Sequence, residues 1–150
     1  MSNHFTVFAH GESFDVDAYL KGAPLEFDRV WHRGDLRGCA GFIQDKHPTS
    51  GVEKLLGDGR GLPIYEQDRI ATSFLEEHQQ ALTELSRFPG VDTFILGLHR
   101  RIDLTPDLRG FCMSAFPRLM YFALRTGITP TFYVDLVPSE DYKERCHCDS

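Results

Sequence analysis

The chain has 150 residues, 41% of them apolar and 25% charged, with a formal net charge of -6 and an isoelectric point near 5.6. That composition suits one folded domain, able to bury roughly 68–70% of its unfolded surface without a disulfide or metal staple. The acidic balance speaks against nucleic acid and anionic membrane as main partners, because both need a basic face, and the longest apolar run, 119–124, is far too short to span a bilayer.

The opening Met1-Ser2-Asn3-His4 has no basic segment ahead of an apolar core, so no signal peptide is read and a cytoplasmic location is expected. Residues 5–10 then read as a strand. Phe5, Val7 and Ala9 alternate with Thr6, Phe8 and His10, and both faces are fairly apolar. A short helix over 16–21 follows. Asp15 is placed to accept a bond from its free first-turn N–H groups, and Phe14 and Tyr19 stand where a hydrophobic staple forms. Gly22 ends this helix, and Pro24 keeps it ended. Residues 27–32 read as a second strand with Phe27 and Trp31 on one face, Arg33-Gly34-Asp35 as its turn, and 39–44 as a third strand paired to it in a hairpin.

Residues 45–63 show no steady period and hold Gly51, Gly57, Gly59 and Gly61; they read as a long loop in which Val52, Leu55 and Leu56 make at most one helical turn. The clearest element is a helix over 67–88. Ile70, Phe74, Leu75, Leu82 and Leu85 form its apolar stripe, with Glu76, Glu77, Gln79, Gln80 and Glu84 opposite. Pro89-Gly90 stops it, and 91–100 alternates as a strand with Phe94, Leu96 and Leu98 on one face. A last helix is expected over 115–126, capped by Ser114, with Pro117 in its first turn. Its core face is Cys112, Phe116, Leu119, Met120 and Ala123, and Gly127 closes it. A strand over 131–137 places Phe132, Val134 and Leu136 inward, and 139–150 is a polar tail expected to be dispensable for folding.

The order predicts a single α+β domain over 1–138: a mostly antiparallel sheet with helices on one face, built on a ferredoxin-like βαββαβ core with a further helix and strand. Phe14-Asp15-Val16-Asp17-Ala18-Tyr19-Leu20, then Val30-Trp31-His32-Arg33-Gly34-Asp35, and later Asp103-Leu104-Thr105-Pro106 before the final helix and strand, resemble the bacterial family called domain of unknown function 4279. The resemblance implies an α+β domain and no established activity.

Candidate chemistry is sparse. The seven histidines, His4, His10, His32, His47, His78, His99 and His147, are scattered, and none shows the spacing of a zincin helix. Cys146-His147-Cys148 offers adjacent zinc donors, but a structural site needs four well-placed ligands. No metal and no cofactor is therefore expected. Cys39 and Cys112 lack an activating context and read as buried thiols, and no structural disulfide is expected in a reducing compartment. Gly57-Asp58-Gly59-Arg60-Gly61 lacks the Gly-Lys-Ser/Thr of a phosphate loop, leaving Arg60 as a candidate anion contact through its planar fork. No Gly-x-Ser-x-Gly elbow appears. Trp31 reads as a core anchor or, beside Arg33, as part of an aromatic and cationic patch of the kind that anchors binding.

Two functions follow. The favoured one is a non-catalytic interaction module, an acidic protein that captures a basic partner as immunity proteins do, with Glu76, Glu77 and Glu84 as candidate contacts. The rival is a small-ligand binder or enzyme with its site near Trp31, His32 and Arg33 under the 45–63 loop. A pocket with convergent polar groups there distinguishes the two.

Overall fold

A computed structural model describes residues 3–37, 45–57, 62–105 and 116–138. In chain order its elements are β1 (Asn3–Gly11), α1 (Val16–Gly22), β2 (Arg29–Trp31), β3 (Leu36–Arg37), β4 (Asp45–Lys46), β5 (Ser50–Leu56), α2 (Ile64–Glu77), α3 (Gln79–Ser86), β6 (Thr93–Leu104), α4 (Pro117–Arg125) and β7 (Thr129–Pro138). Five strands form one sheet in the order β2-β5-β1-β6-β7, while β3 and β4 make a separate two-stranded ribbon. β1 runs antiparallel to both β5 and β6, β2 runs antiparallel to β5, and β7 joins β6 in parallel. With the ribbon set aside, β1, α1, β2, β5, the α2–α3 pair and β6 are the expected ferredoxin-like core, to which α4 and β7 add one helix and one edge strand. No helix among the described residues is long and apolar enough to cross a membrane.

The helices cover one face. Phe5, Val7 and Ala9 of β1 and Phe94, Leu96 and Leu98 of β6 share a core with Val16, Ala71, Leu75, Leu82, Leu85, Leu119 and Phe122. The period-2 stripe of the strands thus meets the period-3.6 stripes of the helices, and burial of these side chains is the main stabilising term. Asp15 caps α1 as expected: Ala18 N–H donates to Asp15 Oδ1 at 3.0 Å. The Phe14 and Tyr19 rings stand 5.9 Å apart beside it. Replacing Asp15 by Ala leaves that donor unmet and is expected to cost about 1 kcal/mol of unfolding free energy in urea titrations, while Asp15→Asn keeps most of it.

Several boundaries differ from the sequence reading, each for a local reason. The third core strand is Ser50–Leu56, inside the stretch read as a loop, whereas 39–44 lies outside the described residues. The helix over 67–88 is two helices turned at His78, whose φ of -111° and ψ of 24° leave the ladder intact. His78 N–H still reaches Phe74 O, and Leu82 N–H reaches His78 O. Ile70 is only half-buried, and Ala71 and Leu75 hold the centre of the stripe instead. β6 extends to Leu104 because its parallel ladder with β7 continues to the Leu104–Pro138 pair. α4 has Phe116 at its N-cap with no side-chain cap bond, and Pro117 opens it; Ser114 and Cys112 lie outside the described residues, as does the tail 139–150. Phe132 and Leu136 share the register of core residues but are 43% and 53% exposed, on the outermost strand of the sheet.

Candidate functional site

Among the described residues the opposite face of the sheet carries no helix, and the alternation of β1 delivers Thr6, Phe8 and His10 to it. The register aligns these with their neighbours: Phe8 with Glu53 of β5, His10 with Gly51 of β5, His4 with His99 of β6, and His99 in turn with Tyr133 of β7. Residues spread from 4 to 133 thereby become one row of rings. His4 stacks on His99 with centroids 4.4 Å apart, and His99 on Tyr133 at 4.7 Å. Tyr133 lies 6.4 Å from Phe8, and the Phe8 and His10 rings are parallel to within 8°. The row ends at Trp31, 6.5 Å from His10, with His47 stacked against the indole at 5.6 Å.

Two glycines permit this. A Cβ on Gly51 would fall onto the indole of Trp31 and stand 2.7 Å from Ala9 O. A Cβ on Gly97 would stand 2.8 Å from Thr6 Oγ1 and 2.9 Å from His99 Nε2. Gly51 therefore lets the Trp31 ring lie down across the strand, and Gly97 lets the Thr6–His99 hydrogen bond of 2.9 Å close over it.

Above this floor is a cleft of about 560 Å³. Phe8, His10, His99 and Tyr133 line its base, and Glu53 stands on β5. The wall comprises Arg29 and Trp31 of β2, Arg37 of the ribbon, and His47, Pro48 and Thr49 leading into β5. The turn after β2 holds this wall through its backbone. Gly34 N–H donates to His47 O at 2.8 Å, His47 N–H to Asp35 O at 2.7 Å, and Arg33 N–H to Ser50 Oγ at 2.8 Å.

The electrostatics are uneven along the cleft. The Arg29 guanidinium lies 5.0 Å from the Trp31 ring and 3.5 Å from the Glu53 carboxylate. Partial burial, then Arg37 and Arg29, push the His47 imidazole below the usual histidine range against a weaker pull from Asp35. At the other end burial, then His4, lower His99, opposed by Asp135. Two buried ring nitrogens, His10 Nδ1 and Trp31 Nε1, have no hydrogen-bond partner among the described residues.

The structure brings Trp31 into the cleft wall, where it is 8% exposed: it is both a packed ring and a lining residue. Arg33 is exposed on the turn and does not line the cleft; its neighbours Arg29 and Arg37 do. Arg60 lies outside the described residues. His32 also stands apart from the cleft. Its Nε2 is 3.0 Å from Asp17 Oδ1, and that hydrogen bond is the largest of the influences that raise its pKa. Of the 45–63 segment, 47–49 border the cleft beside Trp31 and Ser50–Leu56 runs into the sheet as β5 rather than over it as a lid, while 58–61 lie outside the described residues. Among the described residues, no three His, Cys, Asp or Glu side chains gather as a metal site. The sequence singles out neither Phe8 nor Tyr133 and offers His10, His47 and His99 only as scattered metal donors; the one signal of this surface is the apolar second face of β1. No family model, curated protein or solved structure matches the chain.

Proposed function

We propose that this protein binds a small molecule in the cleft on the open face of its sheet. The observation that carries this reading is the cleft itself, floored by Phe8, His10, His99 and Tyr133, walled by Trp31, and flanked by Arg29 and Arg37. A volume of about 560 Å³ lies within the range of roughly 300–1,000 Å³ typical of ligand clefts, and aromatic walls with a few polar groups are their usual lining.

Recognition rather than turnover fits the groups present. Thr6 Oγ1 stands at nucleophile-to-base distance from His99 Nε2, 2.9 Å, but Thr6 is 3% exposed, which shields it from a substrate. The acidic docking module draws on Glu76, Glu77 and Glu84. Glu76 already stands 3.4 Å from Arg118, and Glu84 accepts from Gln80 at 3.2 Å, the pairing of an ordinary solvated helix surface.

Trp31 is the chain's one tryptophan, so its fluorescence reports on the cleft directly. Screening a metabolite library against the full chain is expected to give a saturable change in emission and a matching rise in Tm for the same compound. Arg33→Ala is expected to leave both signals in place. A flat library, together with salt-sensitive capture of a basic protein that Glu76→Gln and Glu77→Gln weaken, overturns this reading in favour of the module.

A further inference from the structure

Resting on that reading, we infer that the ligand is a planar aromatic acid, its ring packed on the aromatic floor and its oxyanion held at the Arg29–Arg37 end. Phe8, His10, His99 and Tyr133 make that floor. Phe8 and His10 are parallel to within 8°, and His99 and Tyr133 to within 12°. An aromatic floor favours an aromatic ring, packed offset or edge-to-face, over a flexible chain. The cationic groups lie at one end. Arg29 is fixed there by the Trp31 ring at 5.0 Å and by Glu53 at 3.5 Å, whereas Arg37 has no ion pair among the described residues. Of the charged side chains that line the cleft, two are guanidiniums and one is a carboxylate, with Asp45 opposite Arg37 across the ribbon; the field of the two arginines reaches His47 against a weaker pull from Asp35. A guanidinium is the side chain whose fork matches a carboxylate or phosphate. Trp31 adjoins both the aromatic floor, through His10 at 6.5 Å, and the cationic end, through Arg29 at 5.0 Å.

Aromatic carboxylates and nucleoside monophosphates share this chemistry, and calorimetric titration of the full chain separates them. The probes are 2-naphthoate, the uncharged 2-naphthol, the non-aromatic cyclohexanecarboxylate, adenosine monophosphate and a single-stranded oligoadenylate. Saturable binding is expected for 2-naphthoate or adenosine monophosphate, with 2-naphthol and cyclohexanecarboxylate weaker by about tenfold or more, the scale of one charge-assisted hydrogen bond. Arg37→Ala is expected to remove about tenfold from the acid and nothing from 2-naphthol, while Arg33→Ala changes neither. Arg37→Ala carries the test because Arg29→Ala also uncovers Trp31. Equal binding of 2-naphthoate and 2-naphthol, or insensitivity to Arg37→Ala, overturns the inference while leaving a small-molecule cleft. Tighter binding of the oligonucleotide than of the monophosphate replaces it with a single-strand surface. Silence from every probe and from the metabolite library overturns the cleft reading itself.

Discussion

Leu82→Ala is expected to lower the unfolding free energy by roughly 2–5 kcal/mol. Leu82 is 1% exposed on α3 and shares the core with Leu75, Leu85, Leu96 and Leu119. Removing its isobutyl group loses the transfer term and leaves a hole between the helix layer and the sheet, which close packing fills only in part. Urea unfolding at constant m-value measures the loss. A change below about 1 kcal/mol would place Leu82 outside the core and with it the assignment of the α3 face.

Gly51→Ala is expected to unseat Trp31. The new Cβ would coincide with the indole and press on Ala9 O at 2.7 Å, and neither a fused ring nor a central strand's backbone gives way easily. Either the indole swings out of the wall or β5 moves from β1, at a cost of about 1–3 kcal/mol. Trp31 emission is expected to shift to the red as the ring meets water, and ligand binding is expected to vanish with the wall. Unchanged emission with full stability would mean that the ring does not lie across Gly51.

How much of this was legible depends on what each segment buries. β1 and β6 were readable because one face is strictly apolar, and α1 because Asp15 and Gly22 bracket it. β5 was not readable. The residues that share its helix-side face are Val52, Lys54 and Leu56, while Gly51, Glu53 and Leu55 face the other way. Lys54 breaks the alternation: its ammonium lies 5.7 Å from the Phe74 ring and donates to Glu26 O at 3.1 Å, so a charge occupies an inward register position. With glycines around it, that pattern imitates a loop. The break between α2 and α3 is a change at one residue, His78, which no period records. The cleft was hidden for a different reason. Its rings come from four strands and a connection, and only strand register puts His10, His99 and Tyr133 on one surface. Trp31 lines the cleft, but the cations that line it with Trp31 are Arg29, two residues before it on the strand, and Arg37 of the ribbon, while Arg33, two residues after it, lies on the turn outside the lining.

The central place of β1 also fixes when this protein becomes able to fold. Phe5 pairs with Leu56 on one side and Leu98 on the other, so β1 gains its second neighbour only after β6 has followed it out of the ribosome. Pairings this distant close large loops before they gain contacts, which slows folding toward the millisecond-to-second range, roughly, of non-local sheets. In the interval Phe5, Val7 and Phe8 line a strand with one edge unpaired, a state prone to association. The strand that lays the floor of the cleft is therefore one that waits with an open edge while the rest of the core is made.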